Sequence, residues 1–256
     1  MSGPMERGTA IVTGGTSGIG LATARQLAGG GFRVAITGLN APEDVTNLLH
    51  ELGAASCYVQ SDLSDIEQHR DVLRQIEDRL GPVSCLVNNA GIGSVARGDF
   101  LNLEPSSFDL VLGVNLRGTV FFTQKVVDAM LSSRSAGLFR SIINIGSISA
   151  TVASPDRMDY CISKAALTAF TRNLAVRLAA DGVSVFEVRP GIVRTGMTAK
   201  VTSKYDTLIE NGLVPMKRWG KPADIAGAIE ELASGSFAFA TGSVINLDGG
   251  LSIPVL

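Results

Sequence analysis

The chain has 256 residues, of which 45% are hydrophobic and 18% charged, with a formal net charge of −2. That balance excludes a disordered chain, and the length is enough to bury a core without disulfide or metal staples. No long basic run offers a nucleic-acid footprint, and no apolar run reaches membrane-spanning length.

Residues 1–7 carry no apolar signal segment and read as a flexible N-terminal extension or an added sequence, with Met5 an alternative start. Thr9–Thr13 is predicted as a buried strand, followed by a helix over Gly18–Ala28. The same alternation continues: strand Phe32–Thr37, helix Ala41–Leu52, strand Ser56–Gln60 and helix Ile66–Leu80. Ser84–Val87 then leads into Asn88-Asn89-Ala90-Gly91. A long helix is predicted over Pro105–Leu131, then strand Ser141–Ile145, helix Asp159–Ala180, strand Val183–Val188, helix Pro222–Ser234 and strand Ser243–Leu247. Apolar strands alternating with amphipathic helices call for right-handed crossovers and a parallel sheet covered on both faces. The expectation is therefore a single-domain α/β fold, doubly wound, over 8–256. The longest stretch outside regular elements, about 191–221, is expected to be a lid.

Cys57, Cys85 and Cys161 are scattered with no CxxC pair, which suggests a reducing, cytoplasmic setting. Cys85 reads as core filler. The two histidines, His50 and His69, fall in polar helical stretches and leave little material for a His-based triad or metal site.

Two segments carry candidate chemistry. Thr13-Gly14-Gly15-Thr16-Ser17-Gly18-Ile19-Gly20 joins the first strand to the first helix. Glycines there let backbone N–H groups approach a pyrophosphate, and the helix N-terminus adds partial positive charge. The spacing is not GxGxxG and no Lys-Ser/Thr follows, so this is not a nucleoside-triphosphate loop. By itself it could equally be a tight turn. Tyr160 and Lys164 stand at i and i+4, so on a helix both side chains share one face. A tyrosine ordinarily titrates near ~10, and a neighbouring ammonium lowers that. The pair can then serve as general acid in carbonyl reduction and general base in alcohol oxidation. Out of context it is an ordinary helix-surface pair.

This loop, Asn88-Asn89-Ala90-Gly91 and Tyr160-x3-Lys164, in that order and spacing, resemble the short-chain dehydrogenase/reductase family, and the likeness runs from Gly8 to Gly250. The resemblance implies a Rossmann-type fold, a nicotinamide cofactor, hydride transfer between that cofactor and a ketone or secondary alcohol, and no metal. It implies a catalytic set of Asn115, Ser147, Tyr160 and Lys164. Ser147, 13 residues before Tyr160, would hold the substrate oxygen, and Asn115 would hold a helix irregularity and a water leading to Lys164. Ser149 reads as a pocket wall.

The implied cofactor contacts are Gly14, Thr16, Ser17, Gly18, Ile19 and Gly20 at the pyrophosphate, and Asp62 and Leu63 at the adenine. Asn89, Ala90 and Gly91 would lie along the adenosine, with Tyr160 and Lys164 at the nicotinamide ribose. Pro190, Gly191, Ile192 and Thr195 would lie at the nicotinamide amide. Asp62 has a rival role as a helix cap, for which Ser64 competes.

In the family, an acid ending the second strand bonds the ribose 2′-hydroxyl and repels a 2′-phosphate. Gly38 stands there, Leu39 replaces a common arginine, and Ser17 replaces a second basic position. With no rejecting acid, NADP(H) is slightly favoured over NAD(H).

The overall look is closest to 3-oxoacyl-acyl-carrier-protein reductases, with sugar and polyol dehydrogenases as the alternative. The expected partners are a small ketone or alcohol, or a carrier-protein thioester, and two long helices that resemble dimer faces imply a homotetramer. Asp181 stands where the reductases often place a carrier-docking arginine. Arg134, Arg140 and Arg177 could form a substitute patch but read more simply as solvated charges, and Arg157 could meet an anionic substrate but reads more simply as a surface salt bridge. A dinucleotide-binding regulator without turnover is the rival from a different class. Loss of the tyrosine or lysine would favour it, and both are present.

Overall fold

The first strand, β1 (Thr9–Thr13), divides its side chains between two cores: Ala10 and Val12 enter one, Ile11 the other. That period of two is the reason an all-apolar segment suits the centre of a sheet buried on both faces. The computed structural model describes residues 7–132 and 137–254, so the N-terminal extension (all but Arg7) and Arg134 lie outside the described residues.

Six further strands follow: β2 (Arg33–Gly38), β3 (Ser56–Gln60), β4 (Val83–Asn88), β5 (Arg140–Ile145), β6 (Val183–Pro190) and β7 (Val244–Leu247). They form one parallel sheet in the order β3-β2-β1-β4-β5-β6-β7. Val12 pairs with Ile36 on one side and Val87 on the other. The order reverses between β1 and β4, and the crevice beyond the strand ends at such a switch point is where doubly wound sheets bind ligands.

Helices cover both faces. Ala24 and Leu27 of α1 (Gly18–Gly29), Leu52 of α2 (Thr46–Leu52) and Ile225, Ile229 and Leu232 of α8 (Pro222–Ala233) join the core of Ala10 and Val12. The opposite core holds Ile76 of α3 (His69–Leu80), Val126 and Met130 of α5 (Thr119–Ser132) and Leu178 of α6 (Met158–Leu178). Burying one such aliphatic side chain contributes about 1.5–3 kcal/mol.

The structure differs from the sequence reading in four places. The helix expected over 105–131 is α4 (Pro105–Leu112), a π-helical turn (Gly113–Gly118) and α5. The 191–221 stretch contains a 3-10 turn (Gly196–Val201) and α7 (Thr202–Glu210). His69 is fully buried against Phe122, with Nε2 3.0 Å from the Leu63 carbonyl, and burial depresses its pKa. The cap before α3 is Asp65, which accepts from the Glu67 N–H at 3.2 Å, rather than Asp62 or Ser64. Cys85 is buried, and its thiol is pushed up to about 11. Among the described residues no helix is long and apolar enough to cross a membrane.

Candidate active site

The turn after β1 is shaped by backbone that a side chain would obstruct. Gly14 has φ of +62°, in the left-handed region. A Cβ on Gly20 would fall on the Gly14 carbonyl and on the Asn89 amide. Asn89 braces this turn from below: its Nδ2 donates to the Thr13 and Gly14 carbonyls at 2.9 and 3.1 Å. The Thr13 hydroxyl in turn accepts from the N–H groups of Asn89 and Ala90, each at 3.0 Å. α1 begins just beyond, with no acidic residue in its first turn and no side-chain cap from Ser17. A helix N-terminus left without a carboxylate, above a cradle only glycine can line, fits the pyrophosphate of a dinucleotide.

The other expected contacts surround that cradle. Gly38 ends β2 beside Thr16 and Asn40, whose side chains bond each other at 2.8 Å. Leu39 is exposed. Asp62 is engaged by the N–H and hydroxyl of Ser64 at 2.9 and 2.7 Å, and Leu63 is buried with its carbonyl against His69. Gly191 follows β6 so close to Asp248 that a Cβ would overlap its backbone. Thr195 lies against Gly18, so the loop carrying Pro190, Gly191 and Ile192 reaches the start of α1.

A buried amide ladder sets the neighbouring strands. Asn88 Nδ2 donates to Thr123 Oγ1 and Asn144 Oδ1, both at 2.8 Å, and Asn144 Nδ2 donates to Thr171 Oγ1 at 2.9 Å. It locks β4, β5, α5 and α6 together just behind the site.

The four catalytic candidates converge from three elements. Ser147 follows β5, is buried, and accepts from the Ser149 N–H at 3.1 Å. Tyr160 and Lys164 stand in the first turns of α6, with the Lys164 nitrogen 5.8 Å from the centre of the Tyr160 ring. Lys164 Nζ donates to the Ile145 carbonyl at 2.8 Å. Asn115, on the π-helical turn, exchanges bonds of 2.8 and 2.9 Å with the backbone of Ile92 and donates to Ser163 Oγ at 3.1 Å. Gly91 lies beside both Asn115 and Lys164.

Burial drives the electrostatics. The Lys164 ammonium is pulled down to about 8, and Glu187 opposes that pull. The Tyr160 phenol is raised by burial, against the Ser147 hydroxyl and the Arg157 guanidinium, which pull it down.

Several residues here escaped the sequence reading. Glu187 is fully buried, bonded to Arg189 Nε at 2.6 Å and to Thr168 Oγ1 at 3.0 Å. Asp159, also buried, takes hydrogen bonds from Ser94 Oγ, from Ser107 Oγ at 3.1 Å and from the Tyr160 N–H at 2.7 Å. Charged residues inside an apolar strand and at a helix start were the available signal. Arg157 forms no ion pair among the described residues, contrary to its reading as a surface salt bridge. Arg140 donates to the Met130 and Asp181 carbonyls at 2.7 and 2.5 Å, while Arg177 pairs with Asp181 at 2.5 Å and stays exposed, a solvated charge. Beyond the site, Trp219 Nε1 and Arg194 both bind Asp206, tying α7 to the 218–220 turn.

Comparison with known proteins agrees with this geometry. Residues 14–252 match the family model described as Enoyl-(Acyl carrier protein) reductase. The 3-oxoacyl-(acyl-carrier-protein) reductase of Thermotoga maritima is 34% identical, over 97% of this chain and 99% of its own. A crystal structure of a 3-oxoacyl-(acyl-carrier-protein) reductase from Brucella melitensis in complex with NAD is 54% identical, with a TM-score of 0.95 over 98% of this chain and 99% of that one. A structure from Agrobacterium tumefaciens with bound NADP is 29% identical, with a TM-score of 0.84 over 96% and 97% of the two chains. The chain belongs to the short-chain dehydrogenase/reductase family, as an NAD(P)-dependent oxidoreductase acting on ketone and CH–OH groups.

Proposed function

We propose that the protein reduces the ketone of 3-oxoacyl thioesters, with Tyr160 as proton donor. The observation that carries this is the convergence of Ser147, Tyr160, Lys164 and Asn115 beside a glycine cradle, in a chain so similar to 3-oxoacyl reductases. The nicotinamide, when bound, supplies the hydride. Ser147 holds the carbonyl oxygen, Tyr160 delivers a proton to it, Lys164 orients the nicotinamide ribose, and Asn115 supports the path by which the proton is replaced. Gly14 to Gly20 take the pyrophosphate, Asp62 and Leu63 the adenine, Asn89 to Gly91 the adenosine, and Pro190 to Thr195 the nicotinamide amide.

The side chains of Thr16 and Asn40 stand beside Gly38 at the end of β2, and Glu43 and Asp44 open the next turn. No carboxylate replaces Gly38, so discrimination is weak and NADP(H) slightly favoured. Leu110 and Phe121 on α4 and α5, and Val176 on α6 at 82% exposure, leave apolar surface that supports a homotetramer. We place the protein in the cytoplasm.

A second reading, oxidation of a sugar or other polyol, is favoured by one observation. Asp181, where a carrier-docking arginine is expected, pairs with Arg177 and receives Arg140 on its carbonyl, so an acid stands at that place. The test is NADPH and NADH consumption with acetoacetyl-coenzyme A beside a panel of polyols. Thioester turnover supports the first reading, and polyol-only turnover replaces it with the second.

A further inference from the structure

Arg157 closes the 3-10 turn Pro155–Arg157 that leads into α6. Its Nε donates to Ser154 Oγ at 3.1 Å and its Nη2 to Ser149 Oγ at 3.3 Å. These two serines hold the guanidinium with its carbon 5.4 Å from the centre of the Tyr160 ring, nearer than the Lys164 nitrogen at 5.8 Å. No carboxylate lies within ion-pair distance of it among the described residues.

We propose that Arg157 is a second, permanent cation for the Tyr160 phenolate, fixed by Ser149 and Ser154. The inference rests on Tyr160 being the proton carrier and adds a partner to Lys164.

The geometry puts Arg157 beside the phenol ring at a distance like that of Lys164. Lys164, on the same helix, is held by burial to about 8, with Glu187 of β6 behind it. Its charge therefore falls away in alkaline solution. A guanidinium keeps its charge throughout that range. Asp159 is turned to Ser94, Ser107 and the Tyr160 backbone. Asp156 hydrogen-bonds Ser154 and feels Arg97 as well as Arg157. Cys161 acts against phenolate formation, while the Ser147 hydroxyl and Arg157 favour it. A cation over the face of the ring gains further when that ring becomes an anion.

The test is an ultraviolet difference titration of tyrosinate in the full-length protein with NADP bound. The chain has three tyrosines, so the Tyr160 step is isolated by subtracting the titration of Tyr160→Phe. Arg157→Gln and Arg157→Met are expected to move that step upward by about one pH unit. Arg157→Lys is expected to leave it close to wild type. An unshifted step in both charge-free variants overturns the proposal, and so does an equal shift in all three, which would assign the effect to packing. Turnover is scored separately: a wild-type protein that neither reduces a ketone nor oxidises an alcohol refutes the reading of Tyr160 as proton carrier, whatever the titration shows.

Discussion

Lys164 Nζ donates a 2.8 Å hydrogen bond to the carbonyl of Ile145, tying the start of α6 to the end of β5, two residues before Ser147. The ammonium is buried to make that contact, and its pKa falls from an ordinary 10.5 to about 8. A lysine whose folded pKa lies below its unfolded one binds fewer protons when folded between those values. Stability therefore rises with pH across that window and is penalised below it. Lys164→Met is expected to raise unfolding stability at neutral pH by about 1–3 kcal/mol and to flatten its pH dependence above pH about 8. Activity should fall about 10²–10⁴-fold. Urea unfolding at two pH values, with turnover alongside, checks both. A less stable variant with unchanged pH dependence would contradict the electrostatic account.

Glu187 is the one group that raises the Lys164 pKa. Glu187→Gln is expected to lower it further, so the alkaline loss of activity moves to lower pH while the acid side stays put. A pH profile of kcat/KM reads this directly. A uniform drop at every pH would reduce Glu187 to a packing role with Arg189 and Thr168.

Gly20 has no room for a side chain above the Gly14 carbonyl. Gly20→Ala is expected to displace the turn at a cost of about 1–3 kcal/mol in cofactor affinity, roughly 5–150-fold in Kd. Titration of nicotinamide fluorescence measures it, with circular dichroism to confirm the fold. Unchanged affinity would place the pyrophosphate elsewhere.

Much of this was legible beforehand because it depends on local periodicity. β1 and β4 are apolar runs, α3 has a clear stripe, and the glycine turn sits between a strand and a helix. Ser147, Tyr160 and Lys164 were singled out by the family resemblance, since their spacing alone reads as an ordinary helix-surface pair and a loop serine. What stayed hidden depends on contacts across the sheet. Nothing near His69 in sequence shows that Phe122 and Leu63 will enclose it. Glu187 and Arg189 stand two apart on one face of β6, and only the packing of Thr168 against them shows why two charges can be buried there. Arg157 resembled any surface arginine until Ser149 and Ser154 were brought beneath it.

Gly38, where many relatives carry an acid, gives the most direct test of cofactor choice. Gly38 has an ordinary backbone angle, and a Cβ there would meet Thr16 at 3.3 Å, a contact its side chain can relax. Gly38→Asp is expected to weaken NADPH about tenfold or more while sparing NADH, since a carboxylate repels a 2′-phosphate and accepts from a 2′-hydroxyl. Paired KM values for the two cofactors decide it. Equal losses for both would mean that the end of β2 does not reach the ribose.

The central claim is that Tyr160 carries the proton in a nicotinamide-dependent ketone reduction. The measurement that reaches it most directly is NADPH-dependent reduction of acetoacetyl-coenzyme A by wild type and Tyr160→Phe, with NADPH affinity measured in parallel. The account expects wild-type turnover and a loss of about 10²–10⁴-fold in the variant, far larger than any loss of NADPH affinity from the missing ribose contact. A Tyr160→Phe protein that turns over as fast as wild type would contradict it.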